Sequence, residues 1–463
     1  MANNNRTRHF PTGPMKSPPH PKVLKRIARE LRSSRAASSY DVRLASAMGL
    51  VTADSNRPLG YNDGIFYPIF SPPEMTRARL ARTTSRLALE TAKPRKLHAL
   101  ALLVDFKDQK GVRPPAEFHD ILFDPTDPWS MTSYYRTVSH GLLDVTGEVT
   151  SYIRAPHPYT YYTNGQSGTG NTYPQNTPGL LQDVLTKFCQ QDNLKRFDAD
   201  GDGYVDGIFL IHSGGGAEAE PDEQERKNMI WSHKWTLPVP FVNDGVSVFA
   251  YSTEPEDGQV GVFAHEFGHV LGLPDLYDIT YRSGGIGDWC LMSGGSWGGG
   301  GSKPCRLNCW CLATLGWIKP SVIRKQRDLK IPTLETNHRA CYRLWTGGQS
   351  GPEYFLLENR QKQGLDVSLP GSGLAVWHVD ETRSGNTTPG RYRVALGQAD
   401  GQQDLEFMRN AGDDGDLFPG SKKVRTLNDR TTPSTRANNH SPTGVAVSKI
   451  RESAGVVTAT VKV

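Results

Sequence analysis

The chain has 463 residues, 37% of them hydrophobic and 22% charged; that is too long for one small core, and typical domain sizes of about 100–200 residues put two or three domains in it. No apolar run approaches the roughly 18–20 residues that span a bilayer, so no transmembrane helix is expected. The net charge of +5 is unevenly placed: residues 1–96 hold 18 Lys and Arg against 6 Asp and Glu, and the rest of the chain balances at −7.

Residues 1–95 read as a separate basic extension. Its cations are scattered among prolines and not aligned on a reading helix, so no nucleic-acid contact is expected, and docking on the acidic body is the simpler use of its charge. "MANNNRTRHFPTGPMK" lacks the apolar stretch of an export signal, and prolines 11, 14, 18, 19 and 21 break any long amphipathic helix. Further on, "PPHPKVLKRIARELRSSRAA" sets Val23, Leu24, Ile27 and Leu31 at helical spacing and predicts one short helix.

A compact domain is expected over 96–319. "KLHALALLVDF" reads as a buried strand, followed by a helix in "SMTSYYRTVSHGLL", a strand in "DVTGEVTSYI", a helix in "GLLQDVLTKFCQQ", a core strand in "DGIFLIHSGGG" and another strand in "VSVFAYSTEPE". This alternation predicts an α+β fold with a mixed sheet packed against helices. Beyond "LGWIKP" the segments "EYFLLENRQ", "GLAVWHVDE", "GVAVSKI" and "GVVTATVKV" predict a β-rich domain over 320–463.

The chemistry concentrates in "AHEFGHVLGLPDLYD" (residues 264–278), where Val260, Phe263, Phe267, Val270 and Leu271 give a helix of about three turns its apolar face. Positions i and i+4 share a helix face, so His265 and His269 can direct two imidazoles to one point. A catalytic zinc needs a third protein ligand and an open position. With Gly272 as hinge, Asp275 can return from outside the helix as that ligand, with Asp278 as the alternative. Water on such an ion has a pKa of about 7, and Glu266 beside it can take its proton as general base and deliver it to a leaving amine.

An isolated H-E-x-x-H arises by accident in about two of a hundred chains of this size, and a core helix with one satisfied histidine would then suffice. The continuation argues against accident: a glycine, a carboxylate, and a methionine turn in "CLMSGGSW" whose Met292 would form a hydrophobic floor under the metal.

"FDADGDGYVDG" sets Asp198, Asp200, Asp202 and Asp206 at calcium-loop positions. Phe209 at the twelfth position excludes an EF-hand, and Glu218 or Glu220 are candidates to complete a calcium site. "GDDGDLFPG" is a weaker second acidic turn. His233 in "MIWSHKW" reads as a structural histidine before a cleft residue, and Glu358 and His378 as buried polar or sheet-surface groups. Of the six cysteines, Cys305, Cys309 and Cys311 crowd together without a zinc spacing, so buried thiols or a disulfide are expected.

The H-E-x-x-H-x-x-G-x-x-D pattern with a methionine turn resembles the metzincin clan of zinc peptidases. "HEFGHVLGLPDLYD", "GDWCLMSGGSW" and "CLATLGWIKP" are similar to the immune inhibitor A family, and so are "ENRQKQGLDVSLPGSGLAVWHVDE", "QADGQQDL" and "GDLFPG" further on. The resemblance covers about residues 97–463. It implies a metzincin-like catalytic domain, hydrolysis of protein or peptide substrates, zinc on His265, His269 and Asp275, Glu266 as general base, Met292 beneath the metal, and an extracellular setting. Where some relatives carry a cysteine near the Pro-Pro pair, "MKSPPHP" has Lys16, so no thiolate from this segment can cap the zinc. Residues 1–95 are instead expected to act as a pro-segment, with a carboxylate such as Asp41, Asp54, Asp63 or Glu74 blocking the metal. The expected activity is that of a zinc endopeptidase. A binding or adhesion protein that keeps the metal without turnover, or a zinc amidase acting on a non-protein substrate, are the alternatives; oligomeric state is open.

Overall fold

The computed structural model describes residues 14–33 and 94–463. The carboxylates Asp41, Asp54, Asp63 and Glu74 lie outside them. The chain divides into two compact units, Met1–Arg136 with Gly141–Pro274, and Thr137–His140 with Asp275–Val463.

In the first unit the elements are β1 (Met15–Lys16), α1 (Pro21–Ser33), β2 (Arg95–Asp105), α2 (Pro115–Phe123), α3 (Met131–Val138, whose last residues fall in the other unit), β3 (Leu143–Val149), β4 (Ile153–Arg154), α4 (Tyr159–Thr163), α5 (Thr177–Phe188), β5 (Ile208–His212), α6 (Glu223–Lys227), β6 (His233–Asn243), β7 (Val246–Pro255) and α7 (Val260–Val270). They build a seven-stranded sheet in the order β1-β6-β7-β5-β2-β3, with β4 also paired to β2. Strand β2 runs parallel to β3, β4 and β5, and β5 parallel to β7, whereas β6 is antiparallel to both β7 and β1. The sheet is therefore mixed, as the alternation of elements predicts.

The apolar run Ala99–Val104 of β2 is fully covered, which is how a strand buried on both faces reads in sequence. On one side of the sheet Leu100, Leu102 and Val104 pack with Tyr162 of α4, Leu181, Val184 and Leu185 of α5, and Trp235 and Tyr251. Elsewhere Phe209 of β5 stacks on Phe267 of α7 with ring centroids 5.7 Å apart, and Tyr135 of α3 meets Phe267 edge-on at 5.3 Å. The Tyr135 hydroxyl donates to the Ala264 carbonyl at 2.5 Å, pinning α7 at its middle. Every residue from Val260 to His269 is buried, so α7 is a core helix covered all round and its histidines are held in place by packing.

The second unit contains α8 (Cys309–Thr314) and β8 (Ser321–Val322), β9 (Arg327–Ile331), β10 (Tyr342–Leu344), β11 (Glu353–Arg360), β12 (Gly373–Asp380), β13 (Val394–Leu396), β14 (Ala446–Ser453) and β15 (Val456–Lys462). They form a five-stranded sheet, β13-β12-β11-β10-β8, and a three-stranded one, β14-β15-β9. Phe355, Leu357, Leu374 and Val376 share one core with Ile331, Val447, Val457 and Val461. The stretch 275–319, read in sequence with the preceding domain, groups instead with these strands. Its groups bond forward in the chain: Gly284 N–H donates to the Leu405 carbonyl, Asp288 N–H to that of Ala411, and Arg306 N–H to the Asp366 carboxylate.

The sequence reading did not name β1, β6, β8, β9, β10 or β13. β6 contains Pro238 and Pro240, which mark against a central strand, and its pairing with β7 shifts register between Thr236 and Phe241. β1 is two residues long and lies among prolines. The crowded cysteines are buried thiols, with the sulfurs of Cys290 and Cys311 3.9 Å apart. Among the described residues no helix is long and apolar enough to cross a membrane.

Glu358 and Arg360 form a buried polar group inside the second unit. The Arg360 guanidinium donates to both oxygens of Asp366 at 2.7 Å and to the Trp289 carbonyl, while Glu358 accepts from Trp377 Nε1 at 2.7 Å and from the Cys309 amide at 3.2 Å. Both side chains are 1–2% exposed. Removing one member strands the others, so Glu358→Ala should lower the unfolding free energy by about 3–5 kcal/mol in a denaturant titration; a loss below about 1 kcal/mol would show that the group carries no stability.

Candidate metal centre

α7 ends in a turn that its sequence dictates. Gly272 has φ +101°, a conformation that side chains resist. Its N–H donates to the His269 carbonyl and the Leu273 N–H reaches back to the Gly268 carbonyl at 3.0 Å, the paired bonds of a Schellman cap, with Pro274 following to prevent any continuation. The chain turns back immediately. One ligand atom each of His265, His269 and Asp275 then lie within 4.8 Å of one another, with all three residues buried. The two imidazoles stand 4.7 Å apart between centroids with their planes at 90°.

The donor set suits a transition metal. His269 Nδ1 lies 2.8 Å from the Leu273 carbonyl; a carbonyl only accepts, so Nδ1 carries the proton and Nε2 keeps the lone pair a metal requires. The cap that ends the helix thus also fixes the tautomer. Asp278, the alternative ligand, is occupied otherwise: Oδ1 accepts from the amide and hydroxyl of Thr280, and Oδ2 from the Ser283 hydroxyl at 2.9 Å. It stands outside the cluster. Met292 is fully buried, and its carbonyl accepts the Leu276 N–H at 2.7 Å, holding the residue next to Asp275.

Glu266 is fully buried on α7, and its Oε1 accepts a 2.5 Å hydrogen bond from the Ser17 hydroxyl. The segment around Ser17 is laid along the sheet edge: Met15 pairs with Lys234 and Lys16 with His233. Ser17 N–H donates to the Ser232 carbonyl, Trp231 Nε1 donates to the Ser17 carbonyl, and His20 N–H donates to the Glu218 carbonyl, each at 2.9 Å. A hydroxyl from "MKSPPHP" therefore touches the candidate base. The sequence reading sought a blocking carboxylate and missed it; the signal available was an extended Pro-flanked stretch, unable to form helix and free to add to a strand. Glu254 on β7 also went unnoticed. It is fully buried, and burial, reinforced by the charges of Glu266 and Glu218, pushes its carboxyl well above the usual range.

Asp198, Asp200 and Asp206 offer oxygens within 4.8 Å of one another. Asp202 is not in that group: its Oδ1 accepts the Tyr204 N–H and shapes the loop. Glu218 is not there either, since both its oxygens accept from Ser232. Glu220 accepts the Asp222 N–H. Burial pushes Asp206 up to about 6, with the Asp200 charge acting in the same direction, while Arg95 donates to Asp200 at 3.1 Å. In the second acidic turn Asp416 accepts from Trp289 Nε1 and the Asp413 N–H, and no metal-type cluster forms there among the described residues. His233 is structural: fully buried, it contacts the Trp231 carbonyl at 2.6 Å and the Thr177 hydroxyl at 2.9 Å, and burial lowers its pKa to about 3. His378 pairs with Glu353 at 2.8 Å.

Residues 115–314 match the family profile described as "Immune inhibitor A peptidase M6, catalytic domain". The chain is 36% identical over 195 residues to immune inhibitor A of Bacillus thuringiensis subsp. alesti, covering 36% of this chain and 28% of that protein. It is 30% identical over 325 residues to the pre-pro-metalloprotease PrtV of Vibrio cholerae serotype O1 (strain M66-2), covering 57% of this chain and 34% of that one. The matches thus span about a third of the length of these relatives. The profile match takes in the helix, the Schellman turn and Asp275, and residues 115–314 thereby fall in the immune inhibitor A family of M6 peptidases.

Proposed function

We propose that the chain is a zinc-dependent endopeptidase of metzincin-like design, acting on proteins outside the cell. The observation that carries this reading is the meeting of two helix-borne imidazoles and one returning carboxylate beside Glu266. A divalent ion held by His265, His269 and Asp275 would supply Lewis acidity to the scissile carbonyl and to the attacking water. The rest of the work falls to the protein. Glu266 Oε1, which now accepts the Ser17 proton, is the atom that would accept the water proton and pass it to the leaving amine nitrogen. The Nδ1–H of His269, tied to the Leu273 carbonyl, keeps that ring from turning during the reaction. Burial of α7 removes competing solvent from both groups. Met292, through its bond to Leu276, steadies the segment that delivers Asp275.

The N-terminal segment fits a latency role, and one relative is named as a precursor, a pre-pro-metalloprotease. Ser17 occupies the base, and residues 15–17 cover the edge of β6 where an extended substrate would add a strand. Calcium is the reading for Asp198, Asp200 and Asp206, where it would offset the mutual repulsion of carboxylates held at close range.

Metal analysis tests the ligand set. Asp275→Asn should weaken zinc binding at least about tenfold, because a direct ligand is lost, while Asp278→Asn retains a full complement; equal zinc content in the two variants would contradict the assignment. Ser17→Pro removes both the hydroxyl on Glu266 and the amide donor to Ser232, and should raise cleavage of a quenched peptide by the full chain. Adding Glu266→Gln should then lower turnover at least about 10²-fold with zinc still bound. Undiminished turnover in the double variant would remove Glu266 from its role, and an inactive Ser17→Pro chain the autoinhibitory one. Saturating calcium should raise the melting midpoint by at least about 3 °C, the effect of roughly 1 kcal/mol in a domain of this size. Asp206→Asn should abolish that shift and Asp202→Asn keep it; no shift in the unaltered chain would dispose of the site.

A further inference from the structure

An extended chain paired along β6 presents successive side chains to opposite faces. Ser17 turns to Glu266, and Lys16 turns the other way. There it enters a closed pocket, only 3% exposed, with its ammonium 4.8 Å from the centroid of the Trp231 ring. Glu218 and Arg226 are the charged groups that act on it, and they are 1% and 2% exposed. Neither is a loose surface charge. Ser232 donates to Glu218 through its amide at 3.0 Å and its hydroxyl at 2.5 Å, and the Glu218 carbonyl receives the N–H of His20 from the same N-terminal segment. Arg226 is held by the carbonyls of Glu220 and Pro221, both at 3.0 Å.

A lysine buried to this degree loses its hydration, and burial together with Arg226 lowers its ammonium to about 7, against the opposing pull of Glu218. The indole face covers the stem and cation, and the Glu218 charge opposes part of that cost without overcoming it. An acidic side chain would meet Glu218, and a short one would leave the indole uncovered.

We propose that this pocket is a substrate subsite selective for a lysine side chain, and that Lys16 fills it as the chain's own imitation of the substrate residue preceding the one that faces Glu266. The inference rests on the peptidase reading and on β6 pairing with substrate as it pairs with β1. It assigns Trp231 and Glu218 to specificity, and it makes the latent state a preview of the preferred sequence.

The test uses the full chain carrying Lys16→Ala and Ser17→Pro, which empties the pocket and removes the Ser17 contacts to Glu266 and Ser232 without altering Glu266 or the metal ligands. Digestion of a peptide library should enrich lysine over alanine at one fixed position from the cleaved bond by at least about tenfold, a difference of about 1.4 kcal/mol. Glu218→Gln in that background should erase most of the preference, while peptides bearing norleucine at that position change little. Cleavage without a lysine preference would overturn the subsite and leave the peptidase reading intact. The second arm measures binding alone, by anisotropy of labelled PMKSPPH and its norleucine and glutamate analogues on the same Lys16→Ala, Ser17→Pro chain. Tighter binding of the lysine peptide with no cleavage of any library member would uphold the pocket and sink the peptidase reading; equal binding of all three, or none, would overturn the pocket.

Discussion

One residue in a left-handed conformation sets the geometry of the candidate centre. Gly272 lets the backbone reverse at the end of α7, and the two bonds of its cap draw Leu273 over the last helical turn. Three consequences come from that one turn: Asp275 is brought back to the histidines, Nδ1 of His269 finds its acceptor, and Pro274 closes off the helical path. A side chain at position 272 would oppose the φ of +101° and disturb all three together. Elsewhere in the first unit the scaffold resists movement of the helix itself, through the Phe209 and Tyr135 contacts on Phe267 and the Tyr135 bond to Ala264.

Around this turn the protein concentrates acids where water is scarce. Glu266 and Glu254 are both fully buried in the first unit, and their proximity helps push the Glu254 carboxyl upward. Such an arrangement is costly for a ground state and useful for a group that has to move protons, since small changes in the neighbourhood change protonation. The hydroxyl of Ser17 is a neutral way to satisfy Glu266 there. A carboxylate in the place of that hydroxyl would add a further negative charge beside Glu266.

Much of this was legible before any coordinates. β2, β5, β7, α5 and α7 announce themselves through unbroken or periodic apolar runs, and the spacing of His265, His269, Gly272 and Asp275 states the turn almost outright. What stayed hidden depends on partners distant in sequence. Ser17 is 249 residues from Glu266, and nothing local in "MKSPPHP" names that partner. Asp202 fits the calcium-loop spacing as well as its neighbours do, yet its oxygen is used by the backbone of Tyr204. Asp275 and Asp278 are equivalent as carboxylates, and they part only because Thr280 and Ser283 are positioned to occupy the second. The stretch 275–319 reads as a continuation of the preceding domain because its few regular elements give no period, while its bonds go to residues around 366, 405 and 411.

X-ray absorption at the zinc edge of the purified full chain addresses the central claim most directly. The account predicts a bound zinc whose nearest shell, at about 2.0–2.1 Å, contains two imidazole nitrogens with the multiple-scattering pattern of histidine, plus oxygen. A shell of oxygens alone, a shell containing sulfur, or protein that takes up no zinc would contradict it.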